Sequence, residues 1–219
     1  MSSNSSRFVY LTGLAGGTVL LVAYLLSTQV ETSVPTLPFY KVDPATNKIE
    51  KTDVPGQKIG AFAFQNQLGK VYTQEDIGNA VFVADYFFAQ CPGICKTMSS
   101  QMQRVSQAFE DTPHLKILSF TSKPEEDSVS ALYDYALQNK VKDHGKWVFL
   151  TGDKKQLYKV AREQFFIVDE PGDGGEEDFI HTERFVLVDQ NRYVRGYYDG
   201  TNPKEVDQLI HDIKDLLQE

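Results

Sequence analysis

The 219-residue sequence is poor in cysteine, holding two, Cys91 and Cys95. That excludes a small scaffold stapled by several disulfides. Bridging two residues four positions apart closes so short a loop that little chain entropy is removed, so a structural staple explains the pair poorly. Basic charge is also scarce: 22 lysines and arginines face 30 acids, for a formal net charge of −8, and no basic stripe appears. Nucleic acid is therefore not expected as a partner. No internal repeat is present. The acidic stretch "DEPGDGGEED", residues 169–178, lacks the alternating D-x-D-x-D-G order of a calcium loop and reads as a mobile, solvated surface loop.

What is present divides unevenly. "FVYLTGLAGGTVLLVAYLL", Phe8–Leu26, carries no charge and approaches the ~20 helical residues that span a bilayer core. Arg7 precedes it, which orients the N-terminus to the cytoplasm. No small-x-small cleavage site follows in "LLSTQVET", and the arginine-rich character of a mitochondrial presequence is absent. The expectation is a cytoplasmic N-terminus (1–7), a retained transmembrane anchor (8–26), a linker (27–57) and a globular domain (58–219). A bacterial inner membrane with the domain in the periplasm fits best, and there exported thiols tend to oxidise.

Hydrophobic residues make up 41% of the chain, enough for an ordinary core. "LPFYKVDPATNKIEKTDV" can form a small hairpin, and "IGAFAFQNQLGKVY" reads as another, turning at Gly69. "AVFVADYFFA", residues 80–89, is almost wholly apolar, like a strand covered on both faces. A helical pattern then runs from Ile94 through Met98, Met102, Val105 and Phe109. Strand 114–121 follows, and then a helix opened by Pro124 with the face Val129, Leu132, Tyr133, Ala136 and Leu137. Strand 146–151 precedes a helix capped by Asp153. A hairpin built from "FIHTERFVLVD" and "RYVRGYYDG" comes next, and a final helix starts at Asn202–Pro203. The order predicts an α/β, thioredoxin-like fold with an added N-terminal hairpin.

The motif "CPGIC" sits where the buried strand hands over to a helix. Unpaired N–H groups at a helix start favour thiolate, which is both a nucleophile and a soft metal ligand. Two sulfurs rarely suffice for a metal, so the four histidines matter. His114, His144 and His211 read as structural or exposed. His181 follows the acidic loop and opens a strand, at a corner that in a thioredoxin-like sheet lies beside the cysteine helix. Thioredoxins carry a cis-proline at that corner, whereas "DFIHTERFVL" has no proline. Two thiolates and an imidazole suit copper, Cu(I) in particular; zinc with a water ligand is the alternative. Met98 and Met102 have core spacing and read as packing.

At these residues the chain resembles the Sco/SenC family, membrane-anchored copper proteins that help build cytochrome c oxidase. The resemblance spans about Lys58 to Leu217 and rests on "DYFFAQCPGICKTM", "SKPEEDSVSALYDYA", "WVFLTG", "DFIHTERFVLVD" and "GYYDGTNPKEVDQLIHDIKDLL". It implies that Cys91, Cys95 and His181 are copper ligands, as Cu(I) or Cu(II), and that Asp178 is an acidic partner preceding the histidine. It also implies a metallochaperone role toward the binuclear copper centre of oxidase subunit II, with other periplasmic copper carriers or thiol reductases as further partners. The alternative is a thiol-disulfide reductase in which Cys91 and Cys95 form a redox-active pair that keeps the cysteines of subunit II reduced. Two positions depart from the family's habit: Lys96 stands where many members have proline, and Lys123 where "DPERDT" has its first acid.

Overall fold

A computed structural model describes residues 36–43, 45, 46, 48–168 and 171–219. The apolar run 8–26 lies outside these residues, and none of the described helices is long and apolar enough to cross a membrane. Among the described residues nine strands and four helices follow one another: β1 (Phe39–Val42), β2 (Ile49–Thr52), β3 (Ala63–Asn66), β4 (Val71–Thr73), β5 (Val81–Phe87), α1 (Ile94–Ala108), β6 (Leu115–Thr121), α2 (Val129–Gln138), β7 (Trp147–Thr151), α3 (Lys154–Glu163), β8 (Arg184–Val188), β9 (Val194–Asp199) and α4 (Pro203–Leu216).

Seven strands form one sheet in the order β4-β3-β7-β6-β5-β8-β9. β5, β6 and β7 pair in parallel, while β3, β4, β8 and β9 join antiparallel. All seven residues of β5 are buried, as an apolar run at the centre of a covered sheet requires. Alternate residues of β5 face opposite layers. Phe82, Ala84 and Tyr86 pack with Leu157, Tyr158 and Ala161 of α3, and Val81, Val83 and Phe87 pack with α1, α2 and α4. This is the thioredoxin-like architecture expected, with the C-terminal ends of the parallel strands at one edge, where ligands gather in such sheets.

β1 and β2 form the small antiparallel hairpin. It docks on β9 through edge-to-face pairs, Phe39 on Tyr193 at 5.7 Å and Tyr40 on Tyr197 at 5.1 Å. Arg195, buried in β9, donates to the carbonyls of Leu37 and Pro38 and pairs with Asp189 and Glu219, both at 3.0 Å. A guanidinium brought this far from water needs every donor satisfied, and the carbonyls and carboxylates supply the acceptors.

The helices carry the signals that start them. Asp153 caps α3, accepting from the Gln156 N–H at 2.9 Å, and Asn202 caps α4 ahead of Pro203. An Asp153→Ala protein should lose about 1 kcal/mol. That is roughly a 2–4 °C fall in melting temperature by calorimetry at this size. An unchanged melting point would mean that the cap is replaced by water or a neighbour.

The helix expected to open at Pro124 starts later. Pro124 lies in a turn closed by Glu126 and Asp127 N–H groups on the Lys123 carbonyl, and α2 begins at Val129 with Ser128 as cap. Its buried face is Leu132, Tyr135 and Ala136, whereas Tyr133 and Leu137 are 40% and 53% exposed. Tyr135 takes the inner place because its ring stacks on Phe87 at 4.7 Å while its hydroxyl pairs with Ser99 at 2.5 Å. An apolar body with a satisfied polar tip is what burial asks of tyrosine. The strand expected to include His181 also begins later, at Arg184.

Candidate metal centre

β5 ends at Phe87, and the chain turns through Phe88–Pro92 into α1. The Cys91 N–H returns to the Phe88 carbonyl at 3.2 Å. Gly93 is the N-cap residue, and the helix starts at Ile94, where the apolar pattern begins. Cys91 therefore lies before the helix and Cys95 in its first turn. Both are free thiols and both are buried, 8% and 6% exposed. The turn after β6 buttresses this loop: Asp127 accepts from the Ala89 N–H at 3.1 Å and from Thr121 Oγ1 at 2.5 Å.

The two sulfurs lie close together, near enough for the Cys95 thiol to donate toward a Cys91 thiolate. Burial alone pushes the Cys91 thiol up, but it is outweighed by that donation, by N–H groups of Cys95 and Gly93, and by the Lys96 charge. The net effect holds Cys91 below an ordinary thiol. Burial pushes Cys95 up to about 12, reinforced by its hydrogen bond to Cys91 and by the Cys91 and Asp85 charges. Of the two sulfurs at this helix start Cys91 gives up its proton more readily than Cys95, which makes Cys91 the better nucleophile or first ligand.

Below the pair lies an acid. Asp85, 5% exposed in β5, accepts from Ser119 Oγ at 2.5 Å, and Ser119 accepts from Trp147 Nε1 at 3.0 Å. Burial raises its carboxyl to about pH 7 against the Ser119 hydrogen bond. A lone acid inside an apolar run directly before the cysteine motif is the signal that could have singled it out.

The segment before β8 carries the histidine. Asp178 accepts two hydrogen bonds from the Arg162 guanidinium, at 2.8 and 2.7 Å, and one from the Gly174 N–H at 2.7 Å. These hold its carboxyl below the usual range, Arg162 foremost. Asp178 is thus tied to α3 rather than to the imidazole. The turn needs glycine: Gly174 has φ +70°, and a Cβ there would meet the Lys155 backbone at 2.9 Å. Beyond Asp178 the side chains alternate. Ile180 and Thr182 are buried, with the Ile180 N–H on Tyr158 Oη at 3.3 Å and Thr182 Oγ1 on the Ile167 carbonyl at 3.1 Å. Phe179 and His181 are exposed.

His181 makes no hydrogen bond or ion pair among the described residues; its one ring neighbour is Phe179, at 6.2 Å. The structure brings Cys91 and Cys95 together but does not gather His181 with them: their donor atoms do not all lie within 4.8 Å. Among the described residues that criterion is met by His211, Asp212 and Asp215, where Asp212 is already committed to Tyr198 and Gln208. His114 and His144 lie away from the thiols. His144 stacks on Tyr133 at 5.5 Å and pairs with Gln67.

Two adjacent thiols and an unengaged imidazole form a soft donor set suited to copper or zinc. A thioredoxin-like domain that presents two such cysteines at a helix start, with a histidine on the segment before the next strand, defines a class of thiol and metal-handling proteins. The sequence profile of the SCO1/SenC family matches residues 50–218. The SCO1 protein homolog of Bacillus subtilis (strain 168) is 31% identical over 160 residues, covering 72% of this chain and 81% of that protein. The chain belongs to the SCO1/SenC family. BsSco, a Sco family member described with a disulfide switch and as one of the cytochrome c oxidase assembly proteins, superposes with a TM-score of 0.62 at 28% identity, over 74% of this chain and 95% of its own. Copper-bound ScoI of Bradyrhizobium japonicum shares the fold with a TM-score of 0.57 at 19% identity, over 72% and 98% of the two chains.

Proposed function

We propose that the chain is a membrane-anchored copper metallochaperone for cytochrome c oxidase, with Cys91, Cys95 and His181 as its ligands. The observation that carries this reading is the pair of free, buried, neighbouring thiols at the α1 start. On the segment before β8, His181 makes no hydrogen bond or ion pair among the described residues. Membership of a family whose relatives include an oxidase assembly protein and a copper-bound structure supports it. The apolar run 8–26 supports an inner-membrane anchor with the domain in the periplasm.

The cargo is Cu(I) or Cu(II), and the receiving site is the binuclear centre of oxidase subunit II. Transfer proceeds by ligand exchange, the thiols of the partner displacing Cys91, Cys95 and His181 in turn. Capture brings the two sulfurs and the His181 imidazole onto one metal ion. Exchange with a disulfide-bonded partner, which leaves as two thiols while Cys91 and Cys95 become a disulfide, withdraws two donors and releases the metal. The same adjacent thiols favour a second reading, reduction of a disulfide in subunit II. Cys91 would attack and Cys95 resolve the mixed disulfide.

Mixing copper-loaded protein with metal-free, reduced subunit II domain separates the two. The metallochaperone reading expects stoichiometric transfer, followed by metal analysis of the two separated proteins. No transfer, together with reduction of oxidised subunit II by metal-free protein, would assign the chain to the reductase role.

A further inference from the structure

Phe179 and His181 leave the same side of the 178–182 segment, yet little burial holds Phe179, which is 43% exposed. Its partners lie on the cysteine loop and the turn after β6. The Phe88 ring meets it edge-on, with centroids 5.7 Å apart and planes at 73°. The Lys123 ammonium sits over both rings, 4.9 Å from the Phe88 centroid and 5.7 Å from that of Phe179. Lys123 is itself held, its N–H on Thr121 Oγ1 at 2.9 Å and its ammonium on Glu126 at 2.9 Å. Phe88 belongs to the cysteine loop, because its carbonyl receives the Cys91 N–H.

The other ties on this segment run elsewhere. Asp178 and Ile180 bond to Arg162 and Tyr158 of α3, and Thr182 bonds to Ile167 just beyond it. They fix the main chain relative to the far layer. The Phe179 contact runs to the loop that carries the cysteines.

We propose that Phe88, Phe179 and Lys123 form a clamp that positions His181 for metal capture beside Cys91 and Cys95. This rests on the copper-binding reading above. The clamp joins the histidine segment to the cysteine loop through a ring pair and a shared cation. Edge-to-face rings and a cation over an aromatic face are directional, so they limit the places from which the imidazole starts its approach. They are also weak enough at a half-exposed site to let the segment move when metal is captured. The three residues are positioning residues and do not touch the metal.

The test uses Phe179→Leu and Lys123→Gln, each in the native background and in a His181→Ala background. Cu(II) affinity is measured by competition with a chelator. Separately, backbone 15N order parameters for residues 179–182 are measured on the metal-free proteins. The clamp predicts about tenfold weaker copper binding for either substitution in the native background, in line with the loss of an outer-shell partner. It predicts less than a twofold change when His181 is already alanine, and lowered order parameters at 179–182.

An equal loss in both backgrounds would show Lys123 and Phe179 acting on the metal directly, and would overturn the clamp. Unchanged affinity with unchanged order parameters would overturn it as well. A native chain that takes up no copper would defeat the copper reading instead; the order parameters would then decide the clamp alone, and their failure to fall would reject it.

Discussion

A His181→Ala protein is expected to keep its fold and lose tight copper binding. The side chain is exposed and makes no hydrogen bond or ion pair among the described residues, so removing it leaves no cavity and no orphaned partner. Stability is expected to stay within about 0.5 kcal/mol of the parent, as for other surface substitutions. Metal binding is different. Removing even an outer partner of a ligand typically costs 10–100-fold, so removing a direct ligand, the role proposed for His181, is expected to cost more than about 100-fold. Chelator competition and visible spectra of the copper(II)-loaded protein check this. Unchanged affinity and an unchanged spectrum would remove His181 from the ligand set.

The second large effect lies in the core. Asp85 keeps its proton in the folded chain to about pH 7, chiefly because burial disfavours the carboxylate. In the unfolded chain an aspartate releases it near pH ~3.9. Between those values the folded state binds more protons, so this residue lowers stability as pH rises from about 4 to about 7. The loss is complete and constant above the folded value. Three pH units correspond to on the order of 4 kcal/mol. Asp85→Asn keeps an acceptor for Ser119 and removes the titration. Denaturant melts of parent and variant across pH 4–8 are therefore expected to diverge, the variant gaining a few kcal/mol over the parent by pH 8. Parallel curves would mean that Asp85 ionises normally, with water or a counter-charge reaching it.

Where a residue's neighbours in sequence are also its neighbours in space, the chain was easy to read. The run around Val81–Phe87 is apolar on both faces because both faces are covered. Asp153 and Asn202 cap because the N–H groups they bond lie two or three residues on. Tyr135 wins the inner face of α2 over Tyr133 because Phe87 and Ser99 happen to lie opposite. Those partners are far along the chain, and no periodicity encodes them. The acidic stretch reads as solvated, yet Asp178 turns inward to Arg162, a pairing that only the α3 position creates. The cysteine pair was legible as a motif at a helix start, and the structure brings its two sulfurs together there. The separation of His181 from them, and the ring pair beside it, belong to the tertiary arrangement alone.

The most direct test of the central claim is X-ray absorption at the copper edge on the reduced, copper(I)-loaded chain at one equivalent. The account predicts a single copper bound by two sulfurs and one imidazole nitrogen, with the nitrogen scattering lost in His181→Ala and one sulfur lost in each cysteine-to-serine variant. Copper bound without sulfur, or a first shell unchanged by all three substitutions, would contradict it.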